Sequence, residues 1–248
     1  MEPMQTYTAP FRVMECDCDS HHHLTPGAFM RLAQQVSTDH CESLGMDDAF
    51  YRASQAVFLM AKMALRLERP PVSGETLTLR TSPEQARRAV YKRITEAWDE
   101  AGRRVAVLDS RWVLVDARAR RILRRPPEAF AALPFAEQVG EELDVTIRKP
   151  AALEPAGVVT ASYSRCDINR HMNNTRYADV AADALPLEAV ENSVITGLVI
   201  SYHNELPAGG SARLVRGQNE DGSWYVAGQR EDGKPCFEAV LTLQSLNL

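Results

Sequence analysis

The hydrophobic pattern along this chain switches between a helical period and a period of two, and does so twice in the same order. After Thr25-Pro26, a capping residue followed by proline at the first helical position, Phe29, Leu32, Ala33, Val36 and His40 fall on one helical face. Leu65-Arg66-Leu67-Glu68 and Thr76-Leu77-Thr78-Leu79 then alternate apolar with polar, as half-buried strands do, with Pro70-Pro71 and Gly74 between them. A second helix is expected to open near Asn173-Asn174, to carry Tyr177, Ala181 and Ala184 on one face, and to stop before Pro186. Neither helix is expected to be long. Val199–Tyr202 leads through Pro207 and Gly209-Gly210 to Ala212–Val215, repeating the strand–turn–strand order. Further β-rich runs are Ala89–Trp98, Val105–Val115, Trp224–Arg230 and Cys236–Leu243, broken by turn signals such as Asp221-Gly222 and Asp232-Gly233. Each half therefore reads as a strand, a helix, then about four antiparallel strands.

A short motif marks the same repeat. Cys16-Asp17 with His21 and Cys166-Asp167 with His171 share one spacing, 150 positions apart (17 to 167, 21 to 171). Between the halves, residues 126–157 hold Pro126-Pro127, Pro134, Pro150 and Pro155, with a short helix expected around Glu128–Leu133. The expected division is an N-terminal half at 1–133, a linker at 134–157 and a C-terminal half at 158–248.

Composition narrows the class. The chain has 248 residues and ordinary apolar and charged fractions, enough for a sizeable core. The N-terminus shows no basic start followed by an apolar run, and no stretch approaches the roughly 18 apolar residues of a membrane span. Five scattered cysteines, an odd number, read as reduced thiols in a cytoplasmic protein. A formal net charge of −5 argues against general nucleic-acid binding. Two basic clusters stand out against it: Arg87, Arg88, Lys92 and Arg93, then Arg118, Arg120, Arg121, Arg124 and Arg125. They are either solvated faces or a patch for an acidic partner.

The chemistry concentrates in Arg165-Cys166-Asp167-Ile168-Asn169-Arg170-His171-Met172-Asn173-Asn174. On an extended backbone Asp167, Asn169 and His171 would point to one side. A carboxylate, an amide and an imidazole together can activate water, position it and polarise a carbonyl. Helix N–H groups beginning at Asn173 or Asn174 could hold a developing oxyanion. A polar turn closed by an Asn cap is the alternative use of the same residues. No second His or Cys stands at a zinc-ligand spacing near His171, and Cys16-x-Cys18 with His21-His22-His23 matches no standard structural zinc pattern.

Asp167-x-Asn169-x-His171-x-Asn173-Asn174 resembles the signature of the acyl-acyl-carrier-protein thioesterases of plants and bacteria. Tyr202-His203-Asn204-Glu205 looks like that family's segment ending in a functional glutamate, and Trp112…Asp116…Arg120-Arg121 followed by Pro126 resembles the end of its first half. The resemblance covers nearly the whole chain. It implies an α+β tandem (double) hotdog, two antiparallel sheets each wrapped around a central helix, with the N-terminal half shaping the acyl pocket. It also implies Asp167, Asn169, His171 and Glu205 as the catalytic set and acyl carrier protein as the partner that brings the substrate. Many plant relatives carry cysteine directly after the glutamate, whereas this chain has Leu206, so a papain-like mechanism through that cysteine cannot apply.

The expected activity is hydrolysis of fatty acyl-acyl-carrier protein to free fatty acid. Either Asp167 attacks the thioester directly, or Glu205 or Asp167 serves as base on a water; neither route needs a metal or organic cofactor. The rival readings are an acyl-CoA or aromatic acyl-CoA thioesterase of the same fold and a non-catalytic acyl-binding regulator. For docking an acidic carrier, the Arg118–Arg125 cluster is the first candidate and the Arg87–Arg93 cluster the second. Asp17 and His21 would be the weaker N-terminal copy of the site. Covalent fusion of the halves makes a monomer or loose homodimer the expected state.

Overall fold

The computed structural model describes residues 5–131, 133–137 and 140–246. In chain order these form β1 (Tyr7–Arg12), α1 (Pro26–Ser43), α2 (Asp48–Ser54), β2 (Ala56–Leu67), β3 (Thr76–Pro83), β4 (Val90–Trp98) and β5 (Arg104–Asp116). After α3 (Glu128–Ala131) come β6 (Glu154–Thr160), α4 (Arg176–Asp183), α5 (Leu187–Glu191), β7 (Ser193–Tyr202), β8 (Ser211–Gln218), β9 (Trp224–Arg230) and β10 (Pro235–Ser245). The strands make one antiparallel sheet in the order β1-β3-β4-β5-β2-β7-β10-β9-β8-β6. Outward from the centre, β2-β5-β4-β3-β1 and β7-β10-β9-β8-β6 are the same series, so the chain is a duplicated unit in a double hotdog. The two expected sheets are continuous. Lys62 pairs with Ser201 and Arg66 with Gly197 across β2 and β7, which covers an edge that either half would otherwise leave open.

Helix α1 lies against the inner face of this sheet. Thr25 caps it, its hydroxyl accepting the Ala28 N–H at 3.3 Å, and Phe29, Ala33, Val36 and His40 are buried as their spacing predicts. At 18 residues it is longer than expected, because neither proline nor glycine interrupts the chain between Ala28 and Leu44. Helix α4 starts later than expected, at Arg176. Asn173 Oδ1 accepts the N–H of Thr175 (2.9 Å) and its hydroxyl (2.7 Å), building a turn ahead of the helix. Phe29, Val36, Leu77 and Leu79 share one core with Tyr177, Val180, Ile200 and Phe237 of the other half. Sequence periodicity missed the seven-residue α2; its Phe50 packs on Phe130 beside Phe58 and Tyr91.

The stretch read as a linker crosses the outer face of the sheet. Leu143 and Val145 pack on Ala64, Ile94 and Val107, and the Leu143 N–H donates to the Asp109 carboxylate at 3.1 Å. Glu141 sits between Arg66 (2.6 Å) and Arg104 (3.0 Å). Of the helix expected at Glu128–Leu133, residues Glu128–Ala131 form one, and Ala132 lies outside the described residues. The Arg87–Arg93 cluster is not one surface, because successive residues of a strand face opposite ways. Lys92 turns to Glu84 (2.9 Å), whereas Arg93 turns inward to His40 Nδ1 and Thr81 Oγ1, both at 3.2 Å. Arg87 and Arg88 alone stay exposed.

The duplication runs in a different register from the one the motif suggested. In the C-terminal half the Asp167 N–H donates to His171 O (3.1 Å), the Asn169 N–H donates to Asp167 Oδ1 (2.9 Å), and Arg170 adopts φ +63°. The same turn in the N-terminal half runs from Asp19 N–H to His23 O (2.8 Å) and from His21 N–H to Asp19 Oδ1 (2.9 Å), with His22 at φ +64°. The equivalents of Asp167 and His171 are therefore Asp19 and His23, 148 positions earlier, and not Asp17 and His21. Asp17 instead lies 3.7 Å from Arg31, and His21 Nε2 lies 2.8 Å from the Glu191 carbonyl. Cys-Asp followed by His occurs twice in this segment at the same spacing, so composition alone admits both registers. Backbone geometry selects one.

Candidate active site

The segment from Cys166 to Met172 is a tight hairpin turn rather than an extended run. Cys166 and Met172 bridge its ends, and Arg170 takes the left-handed conformation that lets it close. The turn folds because the Asp167 carboxylate captures the Asn169 N–H in an Asx turn. Asp167 Oδ2 also accepts from the Asn173 amide at 3.4 Å. His171 comes back beside the same carboxylate, with Nδ1 3.8 Å from Asp167 Oδ1.

Glu205 reaches this turn from the loop after β7. That loop docks by backbone: the Met172 N–H donates to Leu206 O and the Ala208 N–H to Arg170 O, both at 2.9 Å. Glu205 Oε1 consequently stands 3.7 Å from His171 Nε2, so the imidazole lies between two carboxylates. The corresponding bonds in the N-terminal half run from Leu24 N–H to Pro71 O (2.8 Å) and from Ser73 N–H to His22 O (2.9 Å). Pro70 thus occupies the place of Glu205 there. The N-terminal turn keeps its Asp–His pair, 3.9 Å apart, and lacks the second carboxylate.

Of the four expected residues, the structure brings Asp167, His171 and Glu205 together. Asn169 is exposed at the tip of the turn, and its backbone N–H, not its side-chain amide, reaches Asp167. Two of the N–H groups at the expected helix start are engaged locally: Thr175 N–H is held by Asn173 Oδ1 and Arg176 N–H donates to Asn173 O, both at 2.9 Å. Asp167 lines an open cleft of about 300 Å³ together with Asn173, Thr175, Arg165 and the polar side of α1 at Arg31, Gln34, Gln35 and Thr38. That polar side was legible as the back of an amphipathic helix and was not linked to the site.

Two arginines at the site were not expected in that role. Arg120 donates to both oxygens of Glu205, at 3.1 and 3.2 Å, and Arg230 donates to the Glu205 backbone carbonyl at 2.9 Å. Arg120 belongs to the run matched to the thioesterase pattern, but the sequence reading placed it in the docking cluster; nothing in the sequence marks Arg230. Arg118, Arg121, Arg124 and Arg125 are exposed, as a docking surface requires.

Two tyrosines and a thiol beside the site stay neutral. Burial raises the Tyr177 and Tyr202 hydroxyls, and the Tyr202 hydroxyl donates to Asn174 O at 3.0 Å. Burial pushes the Cys236 thiol up to about 11, so it is no nucleophile at neutral pH. Among the described residues no group of three or more His, Cys, Asp or Glu is placed to hold a metal ion, Cys16, Cys18 and His21–His23 included. No described helix is long and apolar enough to cross a membrane.

Comparison with known proteins gives the same grouping. The pattern of the acyl-ACP thioesterase N-terminal domain matches residues 4–133, and that of the C-terminal domain matches residues 158–232. The chloroplastic acyl-[acyl-carrier-protein] hydrolase FATB3 of Cuphea viscosissima is 22% identical over 191 residues, covering 71% of this chain and 46% of that protein. The chain thus spans less than half the length of that relative. The crystal structure of an acyl-ACP thioesterase from Bacteroides thetaiotaomicron superposes with a TM-score of 0.79 at 19% identity, covering 97% of this chain and 98% of that one. The 12:0-ACP thioesterase of Umbellularia californica gives 0.82 at 16% identity, covering 98% of each chain. At such identities the likeness establishes the double-hotdog fold.

Proposed function

The chain belongs to the acyl-ACP thioesterase family, and on that premise we propose that it hydrolyses the thioester between an acyl group and acyl carrier protein, releasing free fatty acid. The observation that carries this reading is the convergence of Asp167 and Glu205 on the two nitrogens of His171 beside an open cleft. Asp167 is the carboxylate offered to the thioester. Either its oxygen attacks the carbonyl carbon and the C–S bond breaks to an anhydride and a thiolate, or it takes a proton from the water that attacks and the C–S bond breaks to a fatty acid and a thiolate; in both routes the proton released by the attacking water passes through His171 to the thiolate. In the first route water opens the resulting anhydride. Asn169, exposed at the turn tip, is available to donate to the carbonyl oxygen as it gains charge. This division of labour makes the C-terminal half, 158–248, the catalytic one and leaves the acyl pocket to residues 1–133. A cytoplasmic location belongs to the same proposal.

Free-thiol release from one acyl group carried by acyl carrier protein and by coenzyme A tests the reading. Faster turnover per enzyme at low concentration on the carrier-linked substrate supports it. Preference for acyl-CoA favours the related CoA thioesterases, and binding without turnover favours an acyl-binding regulator. Docking is tested by reversing Arg118, Arg121, Arg124 and Arg125 to glutamate. This should raise KM for the carrier-linked substrate, with a smaller effect on acyl-CoA. Salt should weaken the wild-type interaction, since exposed charges are screened beyond about 10 Å at 0.1 M. Unchanged kinetics would remove that surface from the proposal.

A further inference from the structure

Arg120 stands apart from the arginines around it. Strand β5 ends at Asp116, whose Oδ1 accepts the N–H groups of Arg118 (2.9 Å) and Ala119 (2.6 Å). The Arg120 N–H donates to Asp116 O and the Asp116 N–H to Arg121 O, both at 2.9 Å, closing a tight hairpin. The Ala117 N–H pins this hairpin to Gln55 O at the end of α2, again at 2.9 Å. At its corner Arg120 adopts φ +53°, a conformation that a residue with a side chain rarely takes. The hairpin aims the guanidinium across the boundary between halves, where its two terminal nitrogens meet the two oxygens of Glu205 at 3.1 and 3.2 Å.

An exposed ion pair usually stabilises little, because two mobile side chains must be ordered to form it. Here the backbone at both ends is already held: at Arg120 by its hairpin, and at Glu205 by the Arg230 bond to its carbonyl and by Leu206, which is 1% exposed. The pair therefore sets geometry. With both oxygens on the guanidinium, Glu205 is not free to take a proton from water. One of the two negative charges flanking His171 is also balanced, and Glu205 is kept 3.7 Å from His171 Nε2, with Nδ1 3.3 Å from Met172 O, while Asp167 lines the cleft.

We propose that Arg120 is a positioning residue contributed by the N-terminal half to the C-terminal site, a two-point clamp that makes Glu205 the orienter of His171 rather than the general base. The inference rests on the thioesterase reading. Its N-terminal counterpart cannot exist, because Pro70 replaces Glu205.

The test uses Arg120→Ala, Arg120→Lys, Glu205→Gln and the double variant Arg120→Ala/Glu205→Gln, with Arg213→Ala, an exposed arginine of β8, as control. Each is assayed on carrier-linked substrate and on a short acyl-N-acetylcysteamine thioester, which has no carrier to dock, and its thermal unfolding is recorded. A clamp predicts that Arg120→Ala lowers kcat by about tenfold or more on both substrates and that lysine, a point charge without the fork, restores only part. It also predicts a marked loss of additivity with Glu205→Gln. A KM increase confined to the carrier-linked substrate, or full additivity in the double variant, overturns it. Activity is not the only readout. The His171 ring resonances in ¹H–¹⁵N spectra should move in Arg120→Ala and not in Arg213→Ala. If the wild type hydrolyses no thioester, the functional reading fails while those spectra still decide the clamp: an unmoved His171 signal refutes it.

Discussion

Two histidines at equivalent places in the duplicated fold allow a matched comparison: His171→Ala should abolish most turnover, and His23→Ala should not. His171 is proposed to move a proton, and loss of such a group costs about 10²–10⁴ in rate. That corresponds to about 2.7–5.4 kcal/mol of barrier. His23 has the same turn and an aspartate at nearly the same distance, 3.9 Å against 3.8 Å, but lacks any counterpart to Glu205. Its Nδ1 is enclosed without a hydrogen-bond partner, so truncation forfeits chiefly packing, about 1–2 kcal/mol of stability. For a chain of this length that lowers Tm by about 2–4 °C per kcal/mol. The assay measures kcat and thermal unfolding of both variants side by side, with Asp167→Ala and Asn169→Ala expected to follow His171→Ala, and Asp19→Ala to follow His23→Ala. A folded but inactive His23→Ala, paired with an active His171→Ala, would place the chemistry in the other half and refute the reasoning.

Three further outcomes are expected. At Gly228 an added Cβ would stand 2.6 Å from Phe237 Cε1, and Phe237 is fully buried, so Gly228→Ala should cost about 1–3 kcal/mol in thermal unfolding with KM unchanged. Arg66, then Arg104, holds the Glu141 carboxyl down at about 2; a depressed folded value contributes stability above the ordinary carboxylate range that is lost as pH falls toward 2. Glu141→Gln should therefore flatten the acid side of the stability profile, and an unchanged profile between pH 4.5 and 2 contradicts the coupling. Cys166→Ala should be mild, since the thiol donates only to Ala161 O at 3.5 Å; loss of turnover in a folded protein would overturn a carboxylate mechanism.

The sequence by itself determined most of the strands, the duplication and the residue types of the site. The β-rich runs became β4, β5 and β9 to within one residue at each end, because β-branched and aromatic residues between turn signals are local features of the chain. Thr25-Pro26 specified the start of α1, because a cap and a fixed φ are local properties. What the tertiary structure decided is everything that depends on residues far apart. The repeat register is one case, since Cys-Asp and His recur two positions apart and only the hydrogen bonds of the closed turn distinguish Asp19 and His23 from Asp17 and His21. The joining of two sheets through β2 and β7 is another, and so is the folding of the linker onto the outer face. The role of Arg120 is the clearest case. In the chain it is one of five neighbouring arginines, 85 positions from Glu205, and only a hairpin with a left-handed corner separates it from the others. Composition reports charge, and the backbone decides where that charge is aimed.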